Sequence, residues 1–555
     1  MAKKRSYFPA ITIILAGTIL LSACSSQQKS STNEEDNTVQ SEESLGYTSE
    51  IDKNSIMSIE ITASQDDWSN MLEHASDKEY IPADVTINGT TIKNVGIKPK
   101  GNSSLKSIVS DENSDRYSFK IKFDEYVDGQ TYKGLDKLVL NNNYSDPTSM
   151  KEYLSYDILN FIDVATPLYS YADISVNGES WGFYLALEAV DDSYLERTTG
   201  GEGDLYKPDS MEDNNKEGKQ QQRTASPGEA NGGPKGGGME SDDAVGLIYT
   251  DDEESSYASI FDNSETKTDS EDHKRVITAI KNLNEGTDLE TYVDVDEVLR
   301  YLAAHTAVVN LDSYSSNMGH NYYLYENNGQ ISMLPWDYNM SFGGFHVNSA
   351  SSAVNFPIDT PVSGVSMEDR PMISKLLEQP EYLEKYHQYL QQIIDEYFAE
   401  GKFEQKVDQI NAMISEHVKN DPSAFYTYEE YEAAVAEFKK LGELRGQSMQ
   451  GQLDKSIPST TEGQSADSSK LIDSSSIDMS ILGDSGPENG GPGNGGPGNG
   501  GPGNGGPGNG GPRNGGPGNG KSGKEMPDKE GPAITGQDGN TGTTKDSTKE
   551  SQKTQ

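Results

Sequence analysis

Ser118-Phe119-Lys120-Ile121-Lys122-Phe123 alternates strictly between apolar and polar side chains after its opening serine. Successive strand residues face opposite ways, so Phe119, Ile121 and Phe123 share one face while Lys120 and Lys122 share the other, as a half-buried strand requires. Further strands are predicted on the same logic at residues 83–87, 171–176 and 182–187, with Asn88-Gly89 and Asn177-Gly178 closing two of them. Asn-Gly pairs supply the positive φ angles of two-residue hairpin turns. Toward the C-terminus the period lengthens, and helices are predicted over residues 148–162, 296–311, 372–398, 404–419 and 429–449. Leu383, Tyr386, Leu390, Ile393 and Ile394 show the rule: they form one apolar stripe at helical spacing. Strands in the first half and helices in the second predict an α+β fold.

The flanks have a different character. Lys3, Lys4 and Arg5 precede a mostly apolar run that closes on Leu21-Ser22-Ala23-Cys24. A charged start, an apolar centre and a small-residue site read as a signal peptide over residues 1–23. A cysteine directly after such a site resembles the lipobox of bacterial lipoproteins, making Cys24 the lipidation site and placing the protein on the extracytoplasmic face of the cell membrane. The competing reading, a retained membrane-spanning helix, is disfavoured by Pro9 and Gly17. Cys24 is the only cysteine of the chain, so intramolecular disulfides are excluded and the fold rests on an apolar core.

Low-complexity segments divide the remainder. Residues 24–47 read as a polar tether, 48–455 as one globular domain with a Gly- and Gln-rich insertion at about 209–246, and 456–555 as a disordered tail. The tail repeats Asn-Gly-Gly-Pro-Gly, a five-residue period that excludes a collagen triple helix. A net charge of −45 argues against a nucleic-acid partner, whose phosphates would be repelled.

Two clusters carry chemistry. Gly96-Ile97-Lys98-Pro99-Lys100-Gly101-Asn102-Ser103-Ser104 is a basic Gly/Ser turn just before the strand of Lys120. Its backbone N–H groups and ammonium charges suit phosphate oxygens; an ordinary basic turn is the alternative. The second runs from Asn310 through Asp312, Asn317, His320 and Asn321 into Tyr322-Tyr323-Leu324-Tyr325, then to Pro335-Trp336-Asp337-Tyr338-Asn339. A helix delivers Asp312 to a polar loop, and Asp337 leaves the second strand of a Tyr-rich hairpin, so two carboxylates from different elements can face one metal ion on nucleotide phosphates. The Asp312-to-Asn317 interval matches the D-x-x-x-x-N of a kinase catalytic loop, with Asp337 where such kinases place a metal-binding aspartate. Solvated loop acids are the alternative here. The histidines show no metal-ligand spacing, and His320 is read as packing beside the hairpin.

These strings, together with Leu140-Asn141-Asn142-Asn143-Tyr144-Ser145-Asp146-Pro147-Thr148 and Trp181-Gly182-Phe183-Tyr184, resemble the spore coat protein H (CotH) kinase family across nearly the whole domain. The resemblance implies an atypical protein-kinase-like fold that binds ATP with Mg²⁺ or Mn²⁺ and phosphorylates serine on extracytoplasmic or coat proteins. It implies Asp312 as catalytic aspartate and Asp337 as metal ligand, with Asn317 or Asn321 completing the metal site. Lys120 would contact the phosphates alongside Lys100, Asn102 and Ser103, Glu152 would orient Lys120, and Glu188 would sit where a kinase hinge meets adenine. One departure is Asn339, where family members often carry Asp. The alternative function is a surface adhesin or an envelope or spore-coat scaffold built on the same fold.

Overall fold

The computed structural model describes residues 45–209, 243–345, 347 and 349–483. Cys24, the signal peptide, most of the tether, the centre of the insertion and the pentad repeats lie outside the described residues.

The N-terminal lobe is a closed barrel. Its strands are β1 (Ile56–Ala63), β2 (Ile81–Ile87), β3 (Thr90–Lys100), β4 (Ser118–Lys122), β5 (Lys137–Asn141), β6 (Tyr169–Val176) and β7 (Glu179–Glu188), in the spatial order β1-β2-β3-β4-β5-β7-β6. Neighbours are antiparallel except for β1 and β6, whose parallel pairing closes the ring. The predicted alternation of β4 holds: Phe119, Ile121 and Phe123 are fully buried in the barrel core with Ile59, Val85, Ile97 and Leu138. Both Asn-Gly turns form with positive φ at each central residue, 49° and 84° at Asn88 and Gly89 and 51° and 85° at Asn177 and Gly178. Register then aligns Lys98 with Lys120 and Lys120 with Val139, so one outer row of the barrel carries ammonium groups.

The helical lobe holds the second core. Flanked by α1 (Gln65–Glu73), α2 (Ser103–Val109), α3 (Lys151–Phe161) and α4 (Asp192–Thr199), the barrel leads into α5 (Ser270–Glu285), α6 (Val295–Ala307), α7 (Pro371–Leu377), α8 (Pro380–Ile393), α9 (Lys402–Lys419) and α10 (Tyr428–Leu453). A small sheet of β8 (Asp204–Tyr206), β9 (Tyr322–Asn327) and β10 (Gln330–Pro335) lies among them in the order β10-β9-β8. The stretch predicted as one helix over 372–398 is broken. Pro380 cannot continue the ladder of α7 and instead starts α8 at its first turn, and a single π-helical turn, Ile394–Phe398, ends it. Helix α10 packs unusually close, because a Cβ on Gly442 would come within 2.1 Å of Phe403 and one on Gly446 within 2.6 Å of Phe398 O. Between the lobes, buried Arg116 pairs with Asp421 at 2.7 Å and donates to the carbonyls of Asn142 and Phe183.

Three expected boundaries move. Tyr47, assigned to the tether, is fully buried and donates to Glu188 Oε1 at 2.5 Å. The insertion ends earlier than 246, since Ala244 and Val245 are buried and Val245 and Gly246 accept from Tyr322 and Tyr314. Folded chain also continues past Lys455 to Gly483, with Ile457, Ile477, Met479 and Leu482 buried. This C-terminal strap is pinned by Asn355 accepting from Ile472 N, Glu437 accepting from Asp478 N, and buried Lys151 donating to Leu482 O at 2.6 Å. Its four anchors are spaced too irregularly among Ser, Thr and Asp to show a period. Replacing Leu482→Ala removes a fully buried side chain and should lower unfolding free energy by about 3 kcal/mol; an unchanged urea midpoint would show that the strap does not hold to the core.

Candidate functional site

One cavity of about 860 Å³ opens between the barrel and the helical lobe. The barrel contributes Lys98, Lys100, Lys120 and Lys137, and the other walls supply Asn102, Ser103, Ala189, Val190, Lys207, Glu265, Asp312, Asn321, Asp337 and Asn339, with Ser480 and Gly483 of the strap at the rim. Gathering lysines here in a chain of net charge −45 is the site's main electrostatic feature.

The carboxylates arrive from two directions. Asp312 follows α6, and its loop is held by buried polar groups. His305 bonds Ser313 Oγ at 2.9 Å and Ser315 Oγ at 3.1 Å, and Arg370 donates to Tyr314 O at 2.5 Å and to Ser316 O. Burial pushes the His305 pKa down to about 4, so it is a neutral strut. Buried Arg445 caps the end of α6 through the carbonyls of Thr306 and Ala307 while also holding those of Val354 and Phe356. Asp337 follows β10 and Asn321 precedes β9, and because Pro335 pairs with Tyr322 both emerge at the same end of the hairpin. Both have left-handed backbones, φ 63° and 57°; non-glycine residues held there mark sites where the surroundings over-determine the conformation. Asn321 Nδ2 donates to Asp312 O at 2.8 Å and Oδ2 at 3.1 Å, leaving its amide oxygen without a hydrogen bond among the described residues. Asn339 Nδ2 donates to Tyr144 O at 2.9 Å, likewise leaving an oxygen to accept.

Of the residues expected at the site, Lys100, Asn102, Ser103, Lys120, Asp312, Asn321, Asp337 and Asn339 line the cavity. Three differ from expectation. Asn317 is exposed and rests against Gly364 instead of facing the cavity. Glu188 is fully buried outside it, held by Arg197 at 2.5 Å, by Tyr47, and by Leu168 N at 2.9 Å. Its neighbours Ala189 and Val190 line the cavity in its place, because Glu188 shares the parity of Tyr184 and Ala186 on β7, which face the barrel core. Glu152 does not reach Lys120: it accepts from Asn141 Nδ2 at 2.8 Å, and Asn141 Oδ1 accepts from Lys100 Nζ at 2.7 Å. The Lys–Glu pair is thus Lys100–Asn141–Glu152, bridged by an amide. The charge nearest in influence to Lys120 is Glu265, from the loop before α5.

These surroundings set the titration. Burial, then the charge of Asp337, raises the Glu152 pKa, while Asn141 and Lys100 oppose the rise. Burial lowers Lys100, against the attraction of Asp337 and Glu152. Burial also brings Lys120 down to about 8, with Glu265 opposing and Lys207, Lys137 and Lys100 adding to the fall. Burial thus works against the ammonium charge of Lys100 and Lys120, and an anionic ligand entering the cavity would favour their charged forms. Lys137, Lys207, Glu265, Asn141 and His320 were not singled out from sequence as cavity residues. Only Asn141 and His320 lay within quoted strings, and the bridging role of Asn141 depends on contacts remote in the chain.

Among the described residues no group of three or more His, Cys, Asp or Glu side chains is arranged to hold a metal ion. The oxygens at the end of the hairpin, from Asp337, Asn321 and Asn339, are few and mixed in charge. That donor set suits Mg²⁺ or Mn²⁺ carried on phosphates, since such ions keep phosphate and water oxygens in their shell.

Fold and cavity define an α+β protein whose two lobes enclose a lysine-lined cleft that also bears carboxylates, Asp312 and Asp337 among them. Residues 97–449 match the family model described as CotH kinase protein, and the chain belongs to that family. It is similar to the inner spore coat protein H of Bacillus subtilis (strain 168), 24% identical over 302 residues that cover 53% of this chain and 72% of that protein. No helix among the described residues is long and apolar enough to cross a membrane.

The Lys120 shift makes the cleft pH-sensitive. Its ammonium is in place below about pH 8 and is lost as pH rises through that value, so triphosphate binding should weaken between pH 8 and 10, and Lys120→Met should flatten that slope in titration calorimetry. By linkage, this lysine stabilises the unliganded fold as pH rises from about 8 toward 10.5, because the unfolded chain keeps the proton longer. A pH-independent affinity in the wild type would remove Lys120 from the binding site.

Proposed function

We propose that this protein is an extracytoplasmic, lipid-anchored atypical serine kinase that transfers the γ-phosphoryl group of ATP to secreted or coat proteins. The observation that carries this reading is the cleft itself: six lysines, Lys78, Lys98, Lys100, Lys120, Lys137 and Lys207, line one cavity with Asp312 and Asp337. Family membership supports it.

In this reading the lysines bind the triphosphate, with Lys100 held in place by Asn141 and Glu152. Asp337, Asn321 and Asn339 would hold the divalent cation, which when bound neutralises charge on the phosphates. Asp312 orients the acceptor serine and takes its proton as the serine oxygen bonds to the γ-phosphorus. The bond from that phosphorus to the bridging oxygen breaks, and ADP leaves with the electron pair. The Tyr323 and Trp336 rings, each about 5.5 Å from Lys207, keep one wall apolar and limit water.

Full-length protein incubated with γ-labelled ATP, Mg²⁺ or Mn²⁺ and a serine-rich acceptor protein should transfer label, and Asp337→Ala should transfer roughly 100-fold less. A wild type that neither transfers label nor binds nucleotide in a metal-dependent way would sink the kinase reading and favour a surface adhesin or coat scaffold. For the anchor, Cys24→Ser should release the protein from the membrane fraction into the medium; unchanged retention would rule out attachment through that thiol.

A further inference from the structure

His320 stands where Asp312 enters the cleft. Its Nε2 lies 2.8 Å from Asp312 Oδ1, and it lines the cavity while remaining only 9% exposed. Asn321 Nδ2 holds the other carboxylate oxygen at 3.1 Å and the Asp312 carbonyl at 2.8 Å. Each Asp312 oxygen therefore has its own donor, and the side chain cannot rotate without breaking one of them. The turn that sets this up begins at Gly319, whose φ of +62° and close approach to Val245, 2.9 Å from a Cβ built there, exclude a larger residue. Because the pair is shielded, water competes poorly for the Asp312 carboxylate, and a shielded charge-assisted hydrogen bond is stronger than an exposed one.

We infer that His320 is a positioning residue for phosphoryl transfer, donating Nε2–H to Asp312 Oδ1 so that the remaining lone pairs of the carboxylate face the acceptor hydroxyl. The inference rests on the kinase reading and deepens it. Because a carboxylate only accepts, the imidazole proton must lie on Nε2. His320 exchanges no proton in this role; it supplies geometry. Nucleotide contacts lie with the lysines on the barrel side, so losing His320 misaligns the base without removing what binds ATP. Such a loss falls on turnover and spares the KM for ATP.

Three variants of the full chain separate this from packing. His320→Ala removes ring and donor, His320→Phe keeps a ring without the donor, and His320→Gln restores an N–H near the position of Nε2. Label transfer by Ala and Phe variants should fall in kcat by roughly 10-fold to 100-fold with KM for ATP within about twofold of wild type, and the Gln variant should regain most of the loss. If the Ala variant does not fold, the Phe and Gln pair decides. A Phe variant that turns over like wild type, or a Gln variant as slow as Phe, overturns the inference while leaving the kinase reading intact. A wild type without transfer overturns both.

Discussion

The arrangement of the cleft depends on Arg445. Its guanidinium lies inside the helical lobe, 2% exposed, and its fork spans carbonyls at the end of α6 and in the 354–356 segment. A helix end leaves carbonyls without intrahelical partners, and burying them unsatisfied is costly. Arg445 satisfies them from α10, while Gly442 and Gly446 let the same helix press against Phe403 and Phe398. Burial brings this arginine down to about 9, a measure of how strongly the site works against its charge. The chain turns from α6 directly into the Asp312 loop, so an amide-rich, strained segment is presented from a rigid base. Arg370 and His305 continue the same task, each bonding to groups of that loop.

A second theme is opposition between stability and charge. Lys100 and Lys120 are held where burial favours their neutral forms, and Glu152 where burial and Asp337 favour its protonated form. A structural core would not keep these groups so close together, since apolar residues of like volume cost less to bury. Their concentration in one cleft, framed by well-packed lobes, is how a fold stores electrostatic potential for a ligand. The acidity of the chain as a whole sharpens the contrast with this lysine-lined opening.

Much of this was readable in the chain. Period-two alternation around Lys120 placed β4 and its inward face, and Asn-Gly pairs placed two hairpins, because these are local properties. The Tyr-rich hairpin and its flanking Asp312, Asn321 and Asp337 followed from order along the chain. What escaped was set by distant partners. Glu152 was assigned to Lys120 on a general kinase pattern, but Asn141 intervenes and Lys100 takes the place. Glu188 stands on a strand edge whose facing is decided by β7 register and by Arg197, neither visible locally. Residues 456–483 were assigned to the tail because Ser and Thr dominate them, yet four apolar anchors suffice to dock the strap when the opposing surface offers Lys151, Glu437 and Asn355 as partners. Helix α5 was missed although Asp269 and Asp272 form a reciprocal cap at its start; its polar composition masked the stripe of Val276, Ile277, Ile280 and Leu283.

The pairing of β1 with β6 has a further consequence. An open sheet ends in strands whose N–H and C=O groups invite another chain to add on, and proteins must guard such edges. Ring closure leaves this lobe without a free edge. With one cysteine in the whole chain and none in either lobe, no covalent staple can restrain partial opening. The barrel's protection against intermolecular strand exchange therefore comes from topology, and it persists in any redox environment.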